Sequence, residues 1–307
     1  YGDHRDLHLS IRRQRQMCIR DSDWIYIIGL SAIWGSSFVF IKETAPVFGP
    51  VGLVFLRLSI ASIVLGLLFI NRKDWLFVKD NLFPILIIGA ANIAIPFYLF
   101  SYASLQINAG SMAVINGTTP LFAFLFSMMF LNFKFKLLQL LGIVMGLIGL
   151  TVFVGLESLE FEITANLAAI MGAMMYGISM VYMYKLNFEN VKLIAAVSML
   201  GATFLITPFL ALEPLTFDGL NLYIILSTLF LAVLATGLAY IPYYTLIKSI
   251  GPVSTSIIAM LVPVFGMFWA YILLDESVTL TKLLGCFLII IGVLMTNLGG
   301  NKSSKES

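Results

Sequence analysis

The side chains able to do chemistry are few, and they lie inside apolar stretches. Arg57 is the only charged residue more than a few positions into such a stretch, about seven residues from its nearer end. At 1.5 Å per helical residue it would sit roughly 10 Å deep, where an arginine costs several kcal/mol unless paired or wetted. Such a residue either anchors a substrate carboxylate or gates a path. Alternatively it bonds helix-end carbonyls or Glu43 while its stem snorkels outward. Tyr98 and Tyr102 are four apart and share a helix face, as do Tyr240 and Tyr244. With Trp34 and Tyr176 they could form an aromatic cavity wall whose hydroxyls meet a polar solute. Interfacial belts are the rival explanation for tyrosine and tryptophan, and they suit Trp24, Trp75 and Tyr271. Trp34 lies about ten residues into its stretch, too deep for a belt.

Prolines mark helical carbonyls that lose their donor, since the ring removes the N–H that would serve the residue four positions earlier. Pro96 frees Asn92, Pro120 frees Asn116, Pro242 frees Leu238 and Pro263 frees Ala259. Freed carbonyls beside asparagine amides must face protein or a wet cavity, unless each is a packing kink with the asparagine bonded to a neighbouring helix. Ser37 and Ser179 lie a helical turn from Trp34 and Tyr176 and are assigned to the same cavity. Gly142 and Gly149, like Gly285 and Gly292, are seven apart and describe a helix seam, as easily a dimer contact as an internal one. The 14 Met and 25 Phe are packing groups. No catalytic cluster accompanies these residues, because the apolar stretches contain no histidine and no deep acid. Cys18 and Cys286 form no metal-ligand spacing, so neither a metal nor a cofactor is expected.

These side chains need elements that hold them in lipid. Of the 307 residues 60% are hydrophobic and 11% charged, with mean hydropathy +0.99, too little polar surface for a water-soluble body. A net charge of +2 gives no basic face for nucleic acid. Ten stretches are long enough to span the bilayer as helices, near 24–42, 50–70, 82–104, 109–131, 137–155, 164–184, 192–212, 220–247, 252–274 and 281–298. Fifteen of the basic residues fall on one side of this arrangement, whereas only Lys42 and Lys282 fall on the other. Both termini are therefore expected in the cytoplasm, and the acidic segment 156–163 outside. Residues 1–22, with five arginines and the string RRQRQMCIRDS, are set apart as a basic leader, either disordered or translated adapter sequence. No function is based on His4, His8 or Cys18. Residues 299–307 form a cytoplasmic tail.

The chain also repeats itself. A shift of 143 residues brings Ser111 onto Ser254, Pro120 onto Pro263, Gly142 onto Gly285 and Gly149 onto Gly292. A shift of 142 brings Trp34, Gly35 and Ser37 onto Tyr176, Gly177 and Ser179, and Tyr98 and Tyr102 onto Tyr240 and Tyr244. Two five-helix halves, 23–155 and 164–298, follow. Five is odd, so the second half inserts upside down, an all-α membrane architecture of ten helices in two inverted repeats, typical of secondary transporters.

Residues 24–298 resemble the drug/metabolite transporter superfamily in its EamA-type ten-helix branch. The likeness rests on Trp34-Gly35-Ser36-Ser37-Phe38 followed by Lys42, on Phe55-Leu56-Arg57, on the Asn116 to Pro120 stretch, and on Glu276, Leu280, Leu284 and Gly285. One departure is visible: the first half has Asn132 and Phe133 where the second has Asp275 and Glu276, so the family's acidic residue is missing from one repeat. The resemblance implies export or uptake of small metabolites, often amino acids or related compounds, through the inner membrane; the inverted repeats add alternating access, and export is the expected direction. A passive channel or lipid flippase is the alternative, and a membrane-embedded enzyme the remotest one.

Overall fold

The computed structural model describes residues 21–134, 136–155, 162–274 and 279–301. The leader 1–20, most of the acidic linker, the junction residues Asp275 and Glu276 and the tail 302–307 lie outside the described residues. Helix α1 spans Asp21–Phe48 and α2 Pro50–Phe69. Helices α3 and α4 cover Leu82–Ala103 and Ala109–Leu131. Then come α5 over Leu137–Val154, α6 over Ile163–Leu186 and α7 over Val191–Ile206. A helical run from Leu222 to Leu274 follows, broken at Gly251, whose φ of 80° and ψ of 171° are not helical. Its two parts are α8 (222–250) and α9 (252–274), and α10 is Leu280–Asn301.

Among the described residues, eight helices are long and apolar enough to cross a membrane, with Leu222–Trp269 counted as one of 48 residues. Leu137–Phe153 is apolar but shorter. A 48-residue helix would be about 70 Å long, more than twice a hydrocarbon core of roughly 30 Å, so the break at Gly251 is physically required. Positive φ costs glycine little, which is why the chain turns there.

Helix α1 runs six residues past the expected end at 42. The Lys42 ammonium donates to Ser104 O at 2.7 Å and Ile107 O at 3.0 Å, capping the carbonyls at the end of α3. Its charge is thus spent inside the protein and does not stop the helix. In the first half α4 is interrupted at Gly117 and Thr118, just before Pro120, whereas α9 continues through Pro263. The expected pair of breaks is therefore one break and one proline within a helix. Gly117 itself stays in the right-handed region at φ −60° and ψ −12°, and its equivalent in the second half is Met260. Asn132 closes α4 in the left-handed region at φ 53°, a conformation that asparagine tolerates better than most residues.

Polarity is reversed relative to a water-soluble protein. Leu67, Phe83 and Ile63 are exposed, while Ser31, Thr44, Asn92 and Ser101 are buried. Apolar side chains face the lipid, and small or polar ones let helices approach and bond. Ser62 and Thr203 hydroxyls meet at 2.9 Å between α2 and α7, and the Trp269 indole donates to Ala32 O at 2.9 Å between α9 and α1.

The glycine seam is internal. A Cβ on Gly142 would lie 2.7 Å from Gly292 O, and one on Gly149 would lie 3.0 Å from Gly285 O, so α5 and α10 pack backbone to backbone along their length. The stripe that could equally have served a dimer is already occupied within the chain. Gly35 abuts Phe265 and Gly266, and Gly177 abuts Phe122 and Ala123. We expect Gly292→Ala to cost about 1–3 kcal/mol, because its Cβ would fall 2.5 Å from the Gly146 backbone nitrogen and neither helix can yield locally. Thermal unfolding in detergent measures this.

Candidate functional site

Two prolines and two widened helical turns create the polar groups at the centre. Before Pro96, α3 adopts a π-helical turn over Gly89–Ala94. Before Pro242, α8 does the same over Phe230–Leu238. In α8 the Ala239 N–H donates to Leu234 O, five residues back, rather than to Ala235 O. Ala235 O accepts the Trp34 indole N–H at 2.8 Å. In α3 the missing N–H of Pro96 frees Asn92 O, which accepts the Tyr240 hydroxyl at 3.2 Å. Such π turns recur at functional sites because they release carbonyls and re-aim side chains.

Between these turns lies a cavity of about 90 Å³, bounded by residues of α1, α2, α3, α4, α6, α8 and α9. At about 10–15 Å³ per water, it has room for roughly six to nine waters. One side is aromatic. The Trp34 ring meets Tyr243 edge-on at 5.2 Å and Tyr240 at 6.1 Å, Phe97 meets Tyr240 at 6.1 Å, and Phe100 stacks on Tyr176.

Arg57 reaches this cavity from α2 and is 4% exposed. Its Nε and Nη2 donate to Thr236 Oγ1 at 3.3 and 3.0 Å, and its guanidinium carbon lies 4.3 Å from the centre of the Phe97 ring. Neither Glu43 nor a helix-end carbonyl is its partner, contrary to the snorkelling alternative. Among the described residues no carboxylate pairs with it. A buried cation held by one hydroxyl and one ring face has unused N–H groups, which is the chemistry of an anion subsite.

Of the residues singled out by sequence, Trp34, Ser37, Arg57, Asn116, Tyr176 and Tyr240 line the cavity. Asn92, Ser179 and Tyr244 stand behind the lining. The Asn92 amide donates to Ser179 Oγ and, at 3.4 Å, to Tyr243, while Tyr244 meets Ser198 at 3.3 Å. Asn92 thus supports the wall and does not form it. Tyr98 and Tyr102 are not in the lining, and they stack on each other with centroids 6.3 Å apart. The reason is angular: Phe97 and Phe100 carry the inward face of α3, and Tyr98 is one residue, about 100°, further round. Pro96 and Pro242 adjoin the π turns, Pro120 sits at the start of the second part of α4, and Pro263 lies beside Val262 in the cavity wall.

Sequence reasoning missed Thr236, Tyr243 and Phe97. Thr236, Tyr240 and Tyr243 are spaced i, i+4, i+7, a polar stripe on one helix face that could have been found by periodicity. Nothing local marks Phe97, which is one phenylalanine among many.

The EamA-like transporter family matches residues 23–155 and 163–298. The uncharacterized transporter YoaV of Bacillus subtilis (strain 168) is 29% identical over 276 residues, spanning 88% of this chain and 94% of that protein. The uncharacterized inner membrane transporter YedA of Escherichia coli (strain K12) is 24% identical over 277 residues, spanning 89% and 90%. A solved crystal structure superposes with a TM-score of 0.74 at 17% identity, covering 91% of this chain and 97% of its own, which is a likeness of fold.

Proposed function

The chain belongs to the EamA-like transporter family, and we propose that it moves small metabolites across the inner membrane by alternating access at the cavity around Arg57. The observation that carries this reading is the cavity itself, bounded by helices of both halves and holding a buried arginine with which no described carboxylate pairs. Membership in a transporter family also removes the membrane-embedded enzyme as a rival. Ten spans result if the Leu222–Trp269 run is divided at Gly251 and the shorter α5 is counted as a crossing.

Reciprocal contacts support inverted repeats. Gly35 of the first half rests on Phe265 and Gly266 of the second, and Gly177 of the second rests on Phe122 and Ala123 of the first. The two contacts interchange under the same sequence shifts that relate the halves. Gly142 against Gly292 and Gly149 against Gly285 interchange in the same way. A set of contacts unchanged when the halves swap places is that of a two-fold axis, and with five helices per half that axis lies in the membrane plane.

Radiolabelled counterflow in proteoliposomes separates a carrier from a channel. A carrier exchanges labelled solute faster when unlabelled solute is present on the far side, and a channel does not. Absence of such acceleration for every transported solute would remove the alternating-access reading. Orientation has its own test. Asp218 in the α7–α8 connection and Lys73 after α2 are both exposed. On a background with Cys18 and Cys286 replaced, Asp218→Cys is expected to react with an impermeant thiol reagent added outside intact cells, and Lys73→Cys only after permeabilisation. The opposite pattern would reverse the topology.

A further inference from the structure

The hydroxyls and the one cation of the cavity lie on different helices and differ in hydrogen-bonding sense. On the α1, α4 and α9 side, the hydroxyls of Ser37, Thr119, Thr255 and Ser256 each donate to a carbonyl of their own chain three or four residues back, at 2.7–3.2 Å. Their protons are spent, so what they can offer a solute is oxygen lone pairs. On the α2 and α8 side, Thr236 Oγ1 takes the Nε/Nη2 edge of Arg57, leaving the Nη1/Nη2 end for an acceptor. The site therefore pairs one cationic donor with an uncharged wall of hydroxyl oxygens, beside which the Asn116 amide of α4 and the Tyr243 hydroxyl of α8 can also donate.

We propose that the solute is a small monoanion whose carboxylate meets the Nη1/Nη2 end of Arg57 and whose hydroxyl donates to the serine and threonine oxygens opposite. This inference rests on the transporter reading above and adds the solute's class. Net charge decides between a hydroxyl and an ammonium donor. A hydroxycarboxylate neutralises Arg57, whereas a zwitterion leaves one uncompensated positive charge in a buried site where no described carboxylate can receive it. The volume of about 90 Å³ sets the scale at a few heavy atoms.

Four three-carbon compounds of nearly equal shape isolate each term: L-lactate, propionate, L-alanine and lactamide. Calorimetry on the purified full-length chain in detergent is expected to give lactate an affinity at least about tenfold above alanine and lactamide, with propionate between. Arg57→Ala is expected to abolish the preference for lactate over lactamide. Ser37→Ala is expected to narrow the gap between lactate and propionate, since the helix keeps its Ile33 carbonyl bonded without that hydroxyl. Alanine binding as tightly as lactate would overturn the monoanion assignment, and so would no binding by any of the four. Counterflow measured with the same labelled compounds keeps the two readings apart, because exchange led by alanine refutes the solute class while leaving the carrier intact.

Discussion

Replacing Arg57 with alanine is expected to lower transport by roughly tenfold to a hundredfold at equal amounts of folded protein, the worth of one hydrogen bond to a charged group. Arg57→Lys should retain part of the activity, because a lysine keeps the charge and can still donate to Thr236 but has no planar fork. Stability distinguishes function from architecture. A structural arginine leaves a partner unsatisfied when removed, and the protein melts earlier. Here the partners are the Phe97 ring and the Thr236 hydroxyl, which can turn to a carbonyl of its own helix, and no described carboxylate is left behind. Arg57→Leu should therefore leave the melting temperature unchanged or raise it, since a buried charge without a counter-ion is a burden on the folded state. Loss of transport at undiminished stability is the expected pair of results. Full transport in the alanine variant would remove Arg57 from the site.

Much of this was legible in the sequence, for reasons specific to lipid. Hydropathy locates helices because an unpaired backbone is so costly in hydrocarbon, and the sequence shifts of 142 and 143 align residues that make equivalent contacts. Trp34 and Arg57 stood out because a polar group at depth needs a reason. What could not be read was rotation. The face a residue presents depends on every turn before it, and α3 and α8 contain π turns of six and nine residues respectively, so Tyr98 and Tyr240 are equivalent in sequence and not in orientation. Proline announces a freed carbonyl but not the turn that accompanies it. Nor does it say which hydroxyl will claim that carbonyl.

Ser37 and Ser179 show the same limit and give the sharpest mutational contrast. The repeat equates them and assigns both to the cavity. Ser37 lines the cavity and bonds only Ile33 O of its own helix, whereas Ser179 is 1% exposed and takes the Asn92 amide between α6 and α3. Ser37→Trp should therefore place an indole in a space of about 90 Å³, abolishing transport while the protein inserts and folds. Ser179→Trp has no cavity to enter. It must part α3 from α6 and orphan Asn92, whose Oδ1 is already without a partner, so a loss of stability of about 1–3 kcal/mol or of folded protein outright is expected. Transport normalised to folded protein, measured beside melting temperature, separates the two. Equal destabilisation by both tryptophans would mean that the Ser37 face is packed against protein, and normal transport in Ser37→Trp would mean that the solute passes elsewhere.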